Sequence, residues 1–435
     1  MSVAIGWLSI LGCEDVERRR LGRRFGWLWS AYTVSTIGTW LAFNAFTLIL
    51  IRVLHAGPAR VAAMSAAGTA VGALVAVPLG PWIEFRRKRP VMVAMDVARF
   101  AALLTIPVAY AFGVLGFAQL LAVSIVVGAC DITFGAASGA YVKSIVARED
   151  LLIANGRFES TTWTAIVLGP PLGGAAVALF GPVVTVVADA VSYLLSALGI
   201  RAIGGSETRS EPLPDRSFRP TDLLDGWRYI LNDRVLRRLL LNNMAVNALI
   251  MAGEPLLAVW MLGRLGFAPW EYGLAFAVPC VGGLAGSRAA ARLAARFGRH
   301  RVLITAGTLR ALPPIGLAFL RPGLPGLVLV MGIELALITS AAVYSPIMAT
   351  YRLEQTASTR VARVLSAWSV STKTAIAVFT AAWGLLAAGT GPRTALAAAG
   401  LLLLATPMLL PHTAKRPGAD QESVGTGPHA LTAES

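Results

Sequence analysis

Gly80-Pro-Trp-Ile-Glu84-Phe-Arg-Arg-Lys88-Arg89-Pro-Val91 aligns without a gap onto Ala291-Arg-Leu-Ala-Ala295-Arg-Phe-Gly298-Arg299-His-Arg-Val302, 211 residues further on. In each copy a basic cluster ends one apolar run and a second apolar run follows it directly. The same offset carries Arg99 onto Arg310 and Gly173 onto Gly384. A basic loop, a charge inside the next apolar run and a later glycine thus recur in register. The pattern points to a duplicated chain whose halves are built from long apolar helices.

Composition outside the two copies agrees. Of 435 residues, 56% are hydrophobic and 14% charged, against roughly 25% charged in an average soluble domain. Mean hydropathy is +0.67, which excludes a soluble enzyme. A spanning helix needs about 20 apolar residues, so the apolar fraction is enough for about a dozen. Apolar runs bounded by Gly, Pro and Arg place spans at 26–52, 59–83, 90–112, 114–141, 156–180 and 182–202, and again at 237–262, 271–291, 302–320, 324–350, 363–388 and 392–411. The predicted class is an all-α membrane protein of twelve spans in two six-helix repeats. Its parts are an N-terminal segment (1–25), a first half (26–202), a polar linker (203–236), a second half (237–411) and a disordered tail (412–435).

Lys and Arg set the orientation, because flanking cations resist translocation. With the N-terminus inside, thirty of the 38 basic residues lie on the cytoplasmic face. Only Arg52, Arg60, Arg264, Arg321 and Arg393 lie opposite, while Arg99, Arg310 and Lys373 fall within spans. Both termini are expected in the cytoplasm of a cell-membrane protein. This asymmetry accounts for the net charge of +15, so no nucleic-acid partner is needed. Cys13, Cys130 and Cys280 form no paired motif, and the four histidines sit at span ends, loops or the tail. No metal, cofactor or disulfide framework is expected.

The loop after the second span is similar to the signature G-x-L-x-D-R-x-G-R-R, with Gly80, Glu84, Lys88 and Arg89 at the glycine, acidic and terminal basic positions. Trp82, Phe85 and Arg87 depart from it, and in the second copy Ala295 replaces the acid while Leu293, Arg296, Gly298 and Arg299 fit. Gly169-Pro170-Pro171-Leu172-Gly173-Gly174 is similar to the G-P-x-x-G-G motif of proton-coupled exporters. On these residues the chain resembles the major facilitator superfamily. Asp96-Val-Ala-Arg99, the stretch Arg148 to Asn155 and the stretch Asp189 to Ala197 resemble the subgroup of enterobactin exporters and macrolide efflux pumps. The helix-four arginine of many drug/proton antiporters is absent. The resemblance implies halves that rock about a central site, with Glu84 and its basic neighbours as a cytoplasmic latch. A plain topology anchor would explain the loop, and helix packing would explain the glycines.

Polar residues at helical spacing mark inward faces, since a polar side chain facing lipid is costly. Thr36, Trp40, Asn44 and Thr47 form one stripe, and Asn243, Asn247, Met251 and Glu254 another. Ser124, Asp131 and Ser138 share a face of the fourth span, as do Glu334, Ile338, Ala341 and Ser345 of the tenth. The resemblance implies that these four spans line the cavity, with Trp40, Asn44, Asn243, Asn247 and Lys373 as candidates to meet substrate. Interhelical bonding would explain the amides equally. Asp96 and Arg99 are one turn apart and can pair, and Asp189 and Glu159 suit packing or gating. Asp131 and Glu334 have no basic residue one turn away, so they are predicted to face one cavity and to carry protons, with Glu254 as a third candidate; a buried, hydrogen-bonded structural acid is the alternative, and Lys373 could neutralise one of them or attract an anionic substrate.

No Walker-type phosphate loop is present, nor any recognisable cluster of nucleophile, base and orienting group, so an enzyme is not expected. The expected protein is a monomeric secondary transporter in the lipid bilayer. Protons would drive export of a hydrophobic or amphipathic small molecule such as a drug, antibiotic or siderophore. An importer or facilitator, or a sensor or assembly subunit that kept the fold, are the alternatives.

Overall fold

The structure, a computed structural model, describes residues 21–42, 45–54, 86–204 and 224–411, together with scattered positions between 64 and 83. Most of the expected second span, with Gly80, Glu84, Asn44 and the tail, lies outside the described residues. Helices are α1 (Arg23–Leu41), α2 (Ala45–Arg52), α3 (Lys88–Ala111), α4 (Phe117–Ile145), α5 (Leu151–Phe180), α6 (Pro182–Arg201) and the short α7 (Asp225–Asn232). They continue with α8 (Arg234–Ala258), α9 (Pro269–Ala277), α10 (Cys280–Phe297), α11 (Arg299–Leu309), α12 (Leu324–Gln355), α13 (Val361–Thr390) and α14 (Pro392–Ala405). No strand occurs among the described residues. Nine helical stretches among them are long and apolar enough to cross a membrane, fewer than the twelve expected. Of the three others, the second is not described, and the first is divided between α1 and α2. The fifth is α5, which at 30 residues is about 45 Å long.

Local signals recur between the halves. α5 and α13 are each 30 residues, and each follows a three-residue 3-10 turn, Arg148–Asp150 and Ser358–Arg360. Each ends at a glycine with positive φ, Gly181 at 83° and Gly391 at 90°. A side chain would be strained there, which is why glycine stops both helices. Pro182 and Pro392 then open the next helix at a position where a missing N–H costs nothing.

Within the first half α3 packs on α4 and α6, and α1 on α5 and α6. In the second, α10 packs on α12, and α8 on α13 and α14. α5 meets α10 and α12, and α4 meets α13, so these pairs join the halves. Among the described residues of the expected linker, α7 lies on α13, with Arg363 on Asp225 at 2.6 Å and Trp227 donating to Ser371 at 2.9 Å. Asp233 then accepts from the backbone of Val235 and Leu236, capping α8 three residues ahead of its expected start.

Candidate functional site

Arg99 on α3 organises a polar cluster inside the first half. Its side chain is 5% exposed and bonds Asp96 at 2.5 Å, one turn back on the same helix. Its guanidinium lies between the rings of Phe134 and Tyr193, at 4.8 and 4.2 Å, where a cation is attracted to the ring faces. The other oxygen of Asp96 accepts from Ser196 of α6 at 2.7 Å. The Tyr193 hydroxyl meets Thr39 of α1 at 2.8 Å, and Thr39 also reaches Asp189 at 3.4 Å. The local pair expected between Asp96 and Arg99 is therefore present, and Asp189 stands beside it.

This cluster continues into the other half. Lys373 of α13 donates to Asp131 of α4 at 3.0 Å, and Arg99 lies 3.9 Å from the second Asp131 oxygen. The pair lies about 18 to 21 Å from the nearer ends of its two helices, close to mid-depth. The Asp131 side chain is 58% exposed and that of Lys373 32%, both toward open space within the bundle. Asp131 thus has two cations near it, neither on its own helix. Asn243 donates to Thr372, next to Lys373, at 3.2 Å, and Asn247 donates back to Asn243. Those two amides bond between helices and along one.

Glu334 is placed elsewhere. It is 4% exposed and lies with Glu254 on a cavity of about 30 Å³ inside the second half, among Leu249, Leu257, Leu317 and Leu396. Among the described residues, no cationic side chain lines that cavity. The expected arrangement, with Asp131 and Glu334 facing one cavity, is not what the structure contains. The Glu334 end of the α12 stripe faces α8 and α14 instead of the space between the halves.

Arg310 repeats the place of Arg99 without its acid. Gly307 stands where Asp96 would recur, and Arg310 bonds Asn242 at 2.5 Å and stacks on Tyr344 at 3.6 Å. Asn242 in turn donates to the Thr406 carbonyl at 2.8 Å. The stripe through Asn243 and Asn247 hid Asn242, which is about 100° round the helix from Asn243.

At the end of the bundle where basic residues gather, the halves are tied more densely. Glu354 of α12 bonds Arg299 at 2.6 Å and lies 3.9 Å from Arg148 of the first half. Lys143 donates to the carbonyls of Leu353 and Thr356, the C-terminal end of α12, where unpaired carbonyls favour a cation. Asn155 donates to Thr350 at 2.9 Å, and Ser160 meets Ser287 at 2.9 Å. Glu354 and Lys143 were not singled out in the sequence; only their place at span ends hinted at them. Lys88 bonds the carbonyls of Ile83 and Arg86, and Arg89 bonds that of Ile203 at the start of the linker. Gly298, at φ 87°, makes the turn between α10 and α11. In the glycine motif, a Cβ on Gly169 or Gly173 would meet Trp40 or Leu41 at 2.6 or 2.0 Å, whereas one on Gly174 meets nothing within 4 Å. Gly169 and Gly173 thus let α5 close on the end of α1, and Trp40 packs there.

The profile of the Major Facilitator Superfamily matches residues 28–333. The multidrug efflux pump Tap of Mycobacterium bovis is 28% identical over 392 residues, covering 87% of this chain and 89% of that protein. The Tap pump of Mycobacterium tuberculosis matches equally. Among solved structures, a bacterial homologue of the iron transporter ferroportin, in an outward-facing state, superposes with a TM-score of 0.75 at 17% identity, covering 89% of this chain and 98% of that one. The human organic anion transporter MFSD10 gives 0.74 at 16% identity, covering 89% and 99%. Such identities show a shared fold.

Proposed function

Because the chain belongs to the Major Facilitator Superfamily and is a multi-pass membrane transporter, we propose that it is a proton-coupled exporter of hydrophobic or amphipathic small molecules, such as a drug, antibiotic or siderophore. Similarity to the Tap pumps supports export. The recurrence of turns and helix lengths supports twelve spans in two six-helix halves, with the second span at 59–83. The excess of Lys and Arg on one face supports a cytoplasmic position for the basic end and both termini. In that orientation the inter-half ties close the cytoplasmic side, and transport requires them to part.

One observation carries the coupling: an acid of one half and a base of the other, Asp131 and Lys373, form an ion pair at mid-depth and face open space. A proton arriving on Asp131 removes its charge and releases Lys373, while Arg99 keeps Asp96. The hold between α4 and α13 is then weaker, so occupancy by a proton biases one conformer over the other. Substrate bound beside Trp40, Asn243, Asn247 or Lys373 acts on the same balance. Glu254 and Glu334, which line one cavity, are a second coupling candidate within one half.

Inverted vesicles with an imposed proton gradient and a panel of labelled compounds test this reading. Gradient-driven accumulation is expected for the wild type. Asp131→Asn is expected to abolish it while keeping counterflow exchange. Accumulation by the variant at the unmutated rate would sink coupling through Asp131. Accumulation only in right-side-out vesicles would make the protein an importer.

A further inference from the structure

The two aligned halves differ at a pair of acids. At the 211-residue offset Glu254 and Glu334 correspond to Phe43 and Val123, and Val123 belongs to an apolar core of the first half. Apolar residues therefore serve the fold at these places, and the second half carries two carboxyls that packing does not require. Both line the cavity of about 30 Å³ inside that half. Neither has a hydrogen-bond or ion-pair partner among the described residues. Tyr272 of α9 and Cys280 of α10 are the titratable groups near both acids, and neither is a base.

The backbone beside these acids is irregular. α11 stops at Leu309, and the ninth span resumes as a 3-10 stretch, Pro313–Phe319. Pro313 and Pro314 have no N–H, so the carbonyls four residues before them lose their helical partners. The aligned Ala102 and Leu103 lie inside the unbroken α3. Pro314 lines the cavity, and Pro255 follows Glu254 within α8. Irregular backbone at membrane depth is tolerated where it lines a cavity, and broken helices offer carbonyl oxygens to cations.

Depth and volume narrow the choice of occupant. Glu334 stands ten residues inside α12 from Leu324, and Glu254 ten residues before Arg264, the end of a π-helical turn that extends α8. Each is about 15 Å from the end opposite the basic one, roughly 6 Å inside a hydrocarbon core that the 32-residue α12 overhangs. An ionised acid at that level is costly without a cation. Protons on both acids would leave buried oxygens without hydrogen bonds. The cavity has room for a water or two or for a single small ion, so an organic cation does not fit.

We propose that this cavity binds one sodium ion between Glu254 and Glu334. One carboxyl keeps a proton and the other is ionised, so the occupied site is neutral. A hard cation takes oxygen ligands; the carboxylate oxygens are the first of them, and the irregular backbone at Pro314 supplies carbonyls. Approach is past Glu254, which is half-buried where Glu334 is buried. The bound ion ties α8 to α12 and stabilises the second half. The inference is independent of proton coupling at Asp131 and of the transported substrate.

The full-length protein, purified in detergent, is titrated with radioactive sodium, and its thermal unfolding is followed in sodium, potassium and choline chloride at equal ionic strength. One sodium ion per chain is expected to bind, and sodium alone to raise the thermal midpoint. Affinity should fall at least about tenfold in Glu254→Gln and in Glu334→Gln, and stay unchanged in Glu271→Gln, an acid of the same half engaged by the Ala268 backbone. Lower pH should weaken binding, because protons compete for the ionised carboxyl. Equal midpoints in the three chlorides, or sodium binding retained in the Glu254→Gln/Glu334→Gln double variant, overturn the proposal. Calcium that binds more tightly than sodium also overturns it, in favour of a divalent site. Glu254 is half-buried, so its single variant remains a test if Glu334→Gln does not fold. A vesicle assay that finds no proton-driven transport leaves this result untouched.

Discussion

Arg99 shows at the scale of one residue why charges survive inside a membrane protein. Its charge is held by Asp96, two aromatic rings and the nearby Asp131, so removing one member of the pair leaves the other uncompensated. Breaking a buried pair costs about 3 to 5 kcal/mol, whereas replacing both members costs far less. Arg99→Gln is therefore expected to lower the thermal midpoint in detergent sharply, and Asp96→Asn/Arg99→Gln to recover part of the loss. A double variant no better than the single one would mean that the rings, not the acid, hold Arg99. Glu334 presents the opposite case. It is buried in an apolar cavity beside another acid, and glutamine keeps its volume without a charge. In sodium-free buffer, Glu334→Gln is expected to change stability by no more than about 1 kcal/mol. A large loss would mean that an ionised Glu334 has a cationic partner.

Helix contacts divide the glycine motif into positions of different kinds. At Gly173 a methyl group would sit 2.0 Å from the Leu41 carbonyl oxygen; backbone cannot step aside as a flexible side chain can. At Gly174 the space is open. Gly173→Ala should cost about 1 to 3 kcal/mol through forced separation of α1 and α5, while Gly174→Ala should be neutral or slightly stabilising. Thermal unfolding of both variants decides it, and equal effects would contradict this packing. The sequence showed the three glycines of the motif alike, because small residues look the same whether they touch a neighbour or face open space. Only the rotation of α5 separates them.

The two halves, at the scale of the whole molecule, are held at their basic end by Glu354 between Arg148 and Arg299 and by Lys143 on the end of α12. These ties exist in one arrangement of the halves and must break in the other. Glu354→Gln removes the contact to Arg148 across the halves, whose cation is exposed, so that it is worth at most on the order of 1 kcal/mol. It should shift the conformer ratio about fivefold toward opening at this end. Cysteines introduced near Asn155 and Ser160 should then label faster from the basic side, with slower overall turnover. Unchanged labelling would show that the Glu354 pairs do not set the balance. High salt should act in the same direction for the more exposed Arg148 contact.

The chain's own order of residues was sufficient for what depends on short stretches and on counting. Apolar runs long enough for a bilayer, basic clusters at their ends and the recurrence of Arg99 as Arg310 are local properties, and water and lipid act on them directly. The turns at Gly181-Pro182 and Gly391-Pro392 are local too, since positive φ and a missing N–H are decided within a few residues. Partnerships across the fold were not legible in this way. Asp131 has no base within a turn on its own helix, and its partner Lys373 stands 242 residues away in the chain. Periodicity places Glu334 on an inward face of α12, yet inward has two meanings there, the space between the halves and the interior of one half. Only the rotation of α12 against α8 and α14 chose the second. The cavity shared by Glu254 and Glu334 likewise exists only because α8 and α12 pack together: the two acids stand 80 residues apart in the chain, and only the fold brings them to the walls of one space.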